Sequence, residues 1–393
     1  MRVTGFWGIL GLPKAAMNST QEAQSSGTRT LQSLRCLPLL VFGAGDVGRA
    51  LLHQVLEHRR FHRERYGLRL EVVCVSDSSA WLSPPPGDAG DAAIRQALQH
   101  KQAGGHLSEL QGSQPALEPR ELVDRLCPPG GIVVDCTASL STVPALTAAL
   151  ERGAKIVLAN KKPLTVEQEI FDRLTADPAA SRWETTVGSC LPIITALNRI
   201  IASGDEVQSI AGTFSGTLGF LTTRLQEGTP FSRLIRQAWE AGFTEPDPRE
   251  DLSGVDVARK SLILARGAGW KLDLKDISVQ GVMPSEFPGM PVEEFLDAIA
   301  SLDDYFSVRV RAAHKRGTVL RYVAEIQKGR CRVGLVEVNQ DSPLGRLRGN
   351  DNLVEIYTRL YDPHPLLVQG RGAGVAATAA GVLSDIVELA FTR

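Results

Sequence analysis

The sequence has no long hydrophobic run and no excess of charge of one sign. None of its apolar segments approaches the roughly 18–20 residues that a membrane-spanning helix requires. Its 43 lysines and arginines are balanced by 44 aspartates and glutamates, which gives a formal net charge of −1. Chains that bind nucleic acid or an anionic membrane surface usually carry a basic excess. We therefore expect neither nucleic acid nor membrane among its partners.

Cysteine is also scarce and unclustered. The 393 residues contain 6 cysteines, and no two of them form a CxxC pair. Several, such as Cys74, lie inside apolar segments. This pattern indicates free thiols of a reducing compartment rather than a disulfide framework or a zinc site. The length exceeds that of one ordinary domain, so two domains are expected.

Acidic residues are nearly missing from residues 1–35, which contain four basic residues and one acid, Glu22. The segment is rich in serine, threonine and glutamine. It fits either an organelle transit peptide, which is typically basic and acid-poor, or a disordered extension. The expected location is accordingly the plastid stroma or the cytoplasm.

The first motif in the sequence is a glycine-rich turn that follows a predicted buried strand. Residues 38–42 are apolar and lead into Gly43, Gly45 and Gly48, which form GxGxxG at the start of an amphipathic helix pattern. A second apolar strand follows and ends at Asp77. This context predicts a dinucleotide-binding loop with the pyrophosphate at the helix N-terminus. The expected loop contacts are Gly43, Ala44, Gly45, Asp46, Val47 and Gly48.

The choice between NAD and NADP stays open at this point. Asp77 at the strand end would accept a hydrogen bond from the ribose 2′-hydroxyl, which favours NAD. Ser78, Ser79 and Arg49 can instead hold a 2′-phosphate, which favours NADP.

Two further apolar strands end in polar residues. Residues 132–136 are followed by Thr137 and Ser139, and residues 155–159 are followed by Asn160 and two lysines. Parallel strands bring their carboxyl ends to one edge of a sheet, and ligands bind at that edge in this kind of fold. We therefore expect these side chains to face the cofactor cleft.

Residues 242–260 place two carboxylates and an amine in one short segment. Glu245 lies on a loop that two prolines keep out of a helix. Asp256 and Lys260 are four residues apart and project from one face of the helix that follows. Such a group suits acid–base chemistry on a small polar substrate. On spacing alone, Asp256 and Lys260 also fit an exposed surface ion pair.

The second half of the sequence predicts a β-rich domain. Thr318–Gln327, residues 332–338 and residues 352–358 have the pattern of a mainly antiparallel sheet, and another strand is expected at Trp183. Residues 366–374 repeat the strand–glycine–helix pattern. The small-residue helix that follows is expected to return to the cofactor domain.

Three motifs together resemble homoserine dehydrogenase. They are NKKP at 160–163, GFTEPDPREDLSGVDVARK at 242–260 and VQGRGAGVAATAAGVLSDI at 368–386. The resemblance covers about residues 39–390 and implies the monofunctional form, without aspartate-kinase or regulatory domains. It implies reduction of L-aspartate 4-semialdehyde to L-homoserine by NAD(P)H, and the reverse reaction. That reaction belongs to threonine, methionine and isoleucine biosynthesis.

The resemblance also assigns roles to the residues around the reaction. Lys260 corresponds to the proton donor, Asp256 to a positioning acid and Lys162 to a second lysine where nicotinamide and substrate meet. Further cofactor contacts are implied at Asp77, Thr137, Ser139, Lys162 and Gly374.

Substrate and metal contacts are implied as well. Glu245 and Asp251 correspond to acids around the substrate, while Gly216 and Thr217 at a helix N-terminus are expected to bind its carboxylate. A sodium ion held largely by main-chain carbonyls is implied at Glu184, Val187, Ser189 and Leu191.

The predicted fold class is α/β, with a Rossmann-type dinucleotide-binding domain and an α+β catalytic and dimerisation domain that has a mainly antiparallel sheet. The expected divisions are 1–35 for the extension, 36–182 and 183–365 for the two domains, and 366–393 for the returning C-terminal helix. An apolar sheet face and the family resemblance suggest a homodimer. Two alternatives stay open: a non-catalytic NAD(P)H-binding sensor and a dehydrogenase of another small amino aldehyde.

Overall fold

Two β-sheets organise the chain, and the computed structural model describes residues 34–283, 287 and 289–392. Most of the segment 1–35, interpreted as a transit peptide or a disordered extension, lies outside the described residues. Within the described part, no helix is both long enough and apolar enough to cross a membrane. The six cysteines are free, as the sequence predicts.

The first sheet belongs to the dinucleotide-binding domain. Its strands are β1 (Arg35–Phe42), β2 (Leu68–Ser76), β3 (Ala80–Leu82), β4 (Gln114–Pro115), β5 (Ile132–Asp135), β6 (Lys155–Leu158) and β7 (Ser181–Arg182). They lie in the order β4-β3-β2-β1-β5-β6-β7, and all neighbours from β2 to β7 are parallel. The helices of this domain are α1 (Asp46–Glu57), α2 (Arg59–Tyr66), α3 (Asp88–Gln102), α4 (Pro119–Leu126), α5 (Val143–Glu151) and α6 (Gln168–Thr175).

The strand register brings the predicted site segments to one edge. Phe42 lies beside both Ser76 and Asp135, and Asp135 lies beside Leu158. These residues end four parallel strands, so the turns that follow them meet at the carboxyl edge of the sheet. β1 and β5 are almost wholly apolar because parallel strands of this kind are covered on both faces.

The second sheet is mainly antiparallel, as predicted. Its strands are β8 (Val207–Thr213), β9 (Ile277–Val279), β10 (Thr318–Gln327), β11 (Arg330–Asn339), β12 (Asp351–Thr358) and β13 (Leu366–Arg371). They lie in the order β13-β12-β8-β10-β11-β9, and only β11 and β9 are parallel neighbours. The helices of this half are α7 (Ile193–Ala202), α8 (Gly216–Gln226), α9 (Phe231–Glu240), α10 (Pro248–Leu252), α11 (Val255–Gly267), α12 (Val292–Ala298), α13 (Asp303–Lys315) and α14 (Pro343–Arg346). The predicted fold class is confirmed.

Three local expectations differ from the structure. Trp183 is followed by the 3-10 helix Glu184–Thr186 and not by a strand. The long helix α13 was not predicted, although Phe306 and Val310 have the spacing of one buried helix face. β13 pairs with β12, so the segment after residue 365 begins as an edge strand of the second sheet.

The last helix, α15 (Val375–Phe391), packs against the dinucleotide-binding domain. Val382 and Ile386 share a buried cluster with Leu51 and Val55 of α1. A Cβ on Gly381 would lie 2.5 Å from Thr185 Cγ2, so α15 also lies very close to the loop after β7. The C-terminal helix therefore connects the nucleotide side of the molecule to the start of the second domain.

Candidate active site

The turn between β1 and α1 has the geometry of a phosphate cradle. Gly43 has a φ of +95°, and a Cβ there would lie 2.8 Å from the carbonyl group of Cys136. A Cβ on Gly48 would lie 1.8 Å from the Gly43 carbonyl oxygen. The Cβ position of Gly45, in contrast, has no atom within 4 Å, and no described side chain caps the first N–H groups of α1. This open helix N-terminus fits the pyrophosphate of a dinucleotide.

Asp77 at the end of β2 is already bonded within the protein. One carboxylate oxygen accepts from the N–H and the hydroxyl of Ser79 at 2.8 and 2.6 Å, and the other accepts from Lys101 Nζ at 2.9 Å. Burial opposes ionisation, but the bonds from Ser79 and Lys101 outweigh it and lower the pKa of Asp77 to about 2. Lys101 of α3 thus lies at this edge of the sheet beside Asp77, which stays the predicted acceptor for a ribose hydroxyl.

A buried carboxylate joins the turns after β5 and β6. Asp135 accepts from Thr137 Oγ1 at 2.7 Å and from Asn160 Nδ2 at 3.1 Å. Asn160 also donates to the Ser139 carbonyl at 2.7 Å and accepts from the Lys162 N–H at 3.1 Å. Burial raises the pKa of Asp135, although these hydrogen bonds oppose the shift. The network fixes both strand ends relative to each other.

One carboxylate on α11 is shared by two lysines. Lys260 Nζ lies 2.7 Å from one oxygen of Asp256, and Lys161 Nζ lies 2.7 Å from the other. Lys260 Nζ also donates to the carbonyl oxygen of Phe214, just before α8, at 2.6 Å. We call Lys161, Asp256 and Lys260 the lysine–aspartate array. Its members come from both domains.

Burial and charge act in opposite directions on this array. Burial lowers the pKa of Lys260, Asp256 raises it, and the Lys161 ammonium lowers it; the net shift is downward. Burial would raise the pKa of Asp256, but the two ammoniums outweigh burial and lower it. Asp256 therefore stays ionised, while Lys260 moves toward the pKa range of an efficient proton donor at neutral pH.

The lysine that completes the array is Lys161, whereas the family resemblance implied Lys162 as the second lysine where nicotinamide and substrate meet. Lys162 begins the 3-10 helix Lys162–Leu164, and its N–H is held by Asn160. Within the described residues Lys162 forms no ion pair, and the cavity beside the array is lined by Lys161. The structure therefore places the second ammonium one residue earlier in the chain.

The loop before α11 brings the expected substrate residues together. Asp251, on α10, accepts from the Glu245 N–H at 2.8 Å. Thr217, in the first turn of α8, donates to the Phe243 carbonyl at 2.8 Å. Glu245 is an exposed residue. The partial desolvation of its carboxyl group and the nearby carboxylates of Asp251 and Asp256 raise its pKa. The hydrogen bond from the Glu245 N–H to one oxygen of Asp251 thus holds this loop against α10.

A cavity of about 290 Å³ lies between the glycine-rich turn and the lysine–aspartate array. The start of α8 is close to it, because a Cβ on Gly216 would lie 3.3 Å from Ala373 Cβ. Its lining residues are Val47, Cys136, Thr137, Ala159, Lys161, Thr185, Thr186, Gly188, Ser189, Lys260, Gly372, Ala373, Gly374 and Thr378. Expected cofactor contacts and the expected proton donor therefore share one cavity.

The Glu184 carboxylate serves as a helix cap. It accepts from the Ile194 N–H at 2.6 Å and from the N–H and hydroxyl of Thr195 at 2.8 and 2.5 Å. Burial raises the pKa of Glu184, while these bonds oppose the shift. Its own N–H donates to Asp385 of α15 at 3.2 Å. In the part of the chain that the structure describes, no group of three or more His, Cys, Asp or Glu can hold a metal ion.

The loop over residues 184–191 offers main-chain oxygens instead. Gly188 and Ser189 both have left-handed backbone conformations, with φ of 78° and 60°. Val187 and Ser189 are buried, yet among the described residues no donor reaches the carbonyl of either one. Buried carbonyls usually have a partner. A hard cation bound by main-chain oxygens would satisfy them.

The sequence matches two family profiles over most of its length. "Homoserine dehydrogenase, NAD binding domain" covers residues 43–187, and "Homoserine dehydrogenase" covers residues 192–387. Homoserine dehydrogenase of Emericella nidulans is 34% identical over 89% of this chain and 97% of its own length. This chain belongs to the homoserine dehydrogenase family. Its first domain is accordingly an NAD(P)-binding domain.

Other members of the family are longer. The bifunctional aspartokinase/homoserine dehydrogenase of Haemophilus influenzae is 44% identical over 90% of this chain and 43% of its own length. The chain thus spans about two fifths of the length of such relatives. A hyperthermophilic archaeal homoserine dehydrogenase solved with NADPH superposes with a TM-score of 0.71 at 24% identity, covering 91% of this chain and 99% of that chain. That likeness shows the fold.

Sequence reasoning missed three parts of this homoserine dehydrogenase-family site. The Phe214 carbonyl that binds Lys260 has no side-chain signal. Lys101 lies on α3, and no sequence pattern connects it to Asp77. Lys161 was visible beside Lys162, but nothing in the spacing distinguished the two.

Proposed function

We propose that this chain reduces L-aspartate 4-semialdehyde to L-homoserine with NAD(P)H and catalyses the reverse oxidation. The observation that supports this most directly is the position of Lys260, paired with Asp256, in the cavity that the glycine-rich turn also borders. Family membership supports the same substrate. A bound reduced nicotinamide supplies the hydride that adds to the aldehyde carbon.

Lys260 supplies the proton in this proposal. Hydride addition breaks the C=O π bond and leaves negative charge on the oxygen. The Lys260 ammonium transfers a proton to that oxygen, so the hydroxyl forms, and water then reprotonates the lysine. Asp256 and the Phe214 carbonyl orient the ammonium, and Lys161 adds a second positive charge nearby. In the oxidation direction, neutral Lys260 accepts the hydroxyl proton.

The rest of the substrate needs a carboxylate for its ammonium and hydrogen-bond donors for its carboxylate. We assign the ammonium to Glu245, whose carboxylate is exposed, with Asp251 as its neighbour. The N–H groups at the start of α8, at Gly216 and Thr217, suit the carboxylate. Thr217 already contacts this loop through Phe243.

We propose that NADPH is preferred to NADH. Asp77 would repel a 2′-phosphate if it stood alone, but Lys101 pairs with it at 2.9 Å. Arg49 reaches the same corner, since its Nη1 donates to the Lys101 carbonyl at 2.9 Å. Lys101 and Arg49, which also pairs with Asp46, thus bring two cations to the corner where the adenosine ribose of a dinucleotide lies in this fold. The archaeal fold neighbour was solved with NADPH.

A monovalent cation such as sodium also fits the loop over residues 184–191. The support is that no donor among the described residues reaches the carbonyls of Val187 and Ser189, while Glu184 and Leu191 have main-chain oxygens at the ends of the loop. The carboxylate of Glu184 is occupied by the α7 cap, so only its carbonyl is available.

We also infer a homodimer built on the second sheet. β13 is an edge strand, and Leu367 on it is 44% exposed. Leu360 nearby in the sequence is 70% exposed, and exposed apolar edges of this kind mark interfaces. Light scattering after size exclusion should give twice the chain mass. A monomer at assay concentrations would contradict this inference.

The decisive assay mixes the protein with aspartate semialdehyde and either NADPH or NADH, and follows loss of the reduced nicotinamide. Turnover with production of homoserine supports the proposal, and the ratio of kcat/KM tests the cofactor preference. Binding of NADPH without turnover would instead support a sensor. Turnover restricted to another amino aldehyde would overturn the substrate assignment.

A further inference from the structure

Arg266 is a buried cation outside the cavity that holds the lysine–aspartate array. It lies on α11, six residues after Lys260, and its side chain has no solvent exposure. The guanidinium stacks over the ring of Phe171, 5.7 Å from its centroid. An isolated buried charge is costly, so a retained one must be satisfied by hydrogen bonds.

The bonds of Arg266 cross from the second domain to the first. Its Nη1 donates to the carbonyls of Leu164 and Val166 at 3.0 and 2.7 Å. Its Nε donates to the Leu272 carbonyl at 3.0 Å, and its Nη2 pairs with Asp273 at 3.1 Å. Leu164 and Val166 belong to the turn that starts at Lys161. The guanidinium therefore joins α11 to the turn that carries the second lysine of the array.

This gives the lysine turn two attachments to the same helix. One is the ion pair of Lys161 with Asp256, near the start of α11. The other is Arg266, ten residues further on, or about 15 Å along a helix. The side chain of Asp256 is 42% exposed, and ion pairs of that exposure hold a side chain only weakly. The buried bonds of Arg266 are the stronger attachment.

We propose that Arg266 is a positioning residue that holds Lys161 against Asp256 across the junction of the two domains. The proposal rests on the proposed dehydrogenase function for its kinetic consequences. Arg266 touches neither substrate nor nucleotide in this proposal. Its loss therefore acts on the chemical step through Lys161 and leaves nucleotide binding intact.

The chain offers a matched control in Arg321. This arginine is also buried and donates to main-chain carbonyls, those of Leu320, Leu344, Gly345 and Leu347, but all of them lie in the second domain. Replacing either arginine by methionine removes a buried charge and its hydrogen bonds, and in Arg266→Met the carbonyls of Leu164 and Val166 lose their donor. Both variants should lose stability, and only the Arg266 variant should disturb the lysine turn.

The kinetic test is a double-mutant cycle. Arg266→Met should lower kcat by roughly 10- to 100-fold, as expected for a displaced catalytic group, with the dissociation constant of NADPH unchanged within about twofold. In a Lys161→Ala background the same substitution should cost less than about threefold, because the residue it positions is gone. Arg321→Met should leave kcat unchanged within about threefold.

An equal loss of kcat in both backgrounds, or the same loss in Arg321→Met, would overturn the proposal. If Arg266→Met does not fold, Asp273→Asn replaces it, since Asp273 is half exposed and its loss only loosens the guanidinium. That variant should lower kcat in the wild-type background and not in Lys161→Ala.

An activity-independent measurement separates this proposal from the proposed function. Hydrogen exchange of the amides of Lys162, Leu164, Thr165 and Val166 should be faster in Arg266→Lys than in wild type, and unchanged in Arg321→Met. If exchange is faster but the protein does not turn over aspartate semialdehyde, the attachment of the lysine turn by Arg266 is supported and the proposed dehydrogenase activity is rejected. Unchanged exchange in Arg266→Lys would reject the attachment, whatever the activity.

Discussion

Replacing Asp256 by asparagine removes the one carboxylate that both lysines of the array share. Lys161 and Lys260 each lie 2.7 Å from it, and they would face each other without a counter-charge. Asparagine keeps the size and the helix position, so the change is mainly one of charge. Glu250→Gln is the matched control, because Glu250 is an exposed carboxylate of the same segment.

The structure sets the size of the effect. Two unit charges 4 Å apart interact by about 4 kcal/mol at an effective dielectric constant of 20. The Asp256 side chain is 42% exposed, so solvent screening removes much of that energy. We expect kcat to fall about 10- to 100-fold, which corresponds to ~1.4–2.7 kcal/mol in the activation barrier.

The sign of the pH effect follows from the same contacts. Reduction needs protonated Lys260, and Asp256 raises the pKa of that lysine against the effect of burial. Without Asp256 the pKa falls further, so the high-pH limb of kcat for reduction should move to lower pH. In the oxidation direction the rise of kcat with pH should begin at lower pH. Steady-state rates across a pH series measure both limbs, and unmoved limbs with unchanged kcat would refute the role of Asp256.

Lys161→Ala should lower kcat by roughly 10- to 100-fold, as expected when a charge that stabilises the transition state is lost. Lys162→Ala should change kcat by less than about threefold. If steady-state assays give the reverse ranking, Lys162 and not Lys161 is the second lysine of the site. Gly254→Ala should destabilise the fold by ~2–4 kcal/mol in urea unfolding, because the residue has a φ of +76° and the new Cβ would lie 1.8 Å from the Tyr322 hydroxyl oxygen. An unchanged unfolding midpoint would contradict that contact. Lys101→Ala should reduce the ratio of kcat/KM for NADPH to kcat/KM for NADH by about tenfold, because one charge-assisted contact is lost. An unchanged ratio would show that Lys101 does not contact the nucleotide.

Local patterns made the nucleotide side of the site predictable. The turn at Gly43 and Gly48 follows a buried strand and starts a helix, and each of these signals lies within a dozen residues. The spacing of Asp256 and Lys260 likewise defines one face of a helix without reference to the rest of the fold. Such features depend on sequence neighbours, so sequence reasoning reaches them.

The choice between Lys161 and Lys162 depends on contacts made by distant residues. The Lys162 N–H is held by Asn160, whose side chain is held by Asp135 from another strand. Arg266, about a hundred residues later, holds the end of the same turn. No periodicity in the sequence records these contacts, so the two adjacent lysines could not be distinguished.

Two other contacts have the same origin. The Glu184 carboxylate caps α7, ten residues later in the chain, while its main-chain carbonyl stays the predicted cation ligand. The Asp77 carboxylate pairs with Lys101 of α3, and its contact with a ribose stays a prediction. In both cases the residue type was informative, and the partner was set by tertiary packing.

The most direct test of the central claim is the turnover of Lys260→Ala beside its affinity for NADPH. We predict that kcat for aspartate semialdehyde reduction falls about 10²- to 10⁴-fold, the usual contribution of a positioned proton donor. The dissociation constant of NADPH should stay within about twofold of the wild-type value. Equal losses of turnover and cofactor binding, or full turnover without Lys260, would contradict the claim.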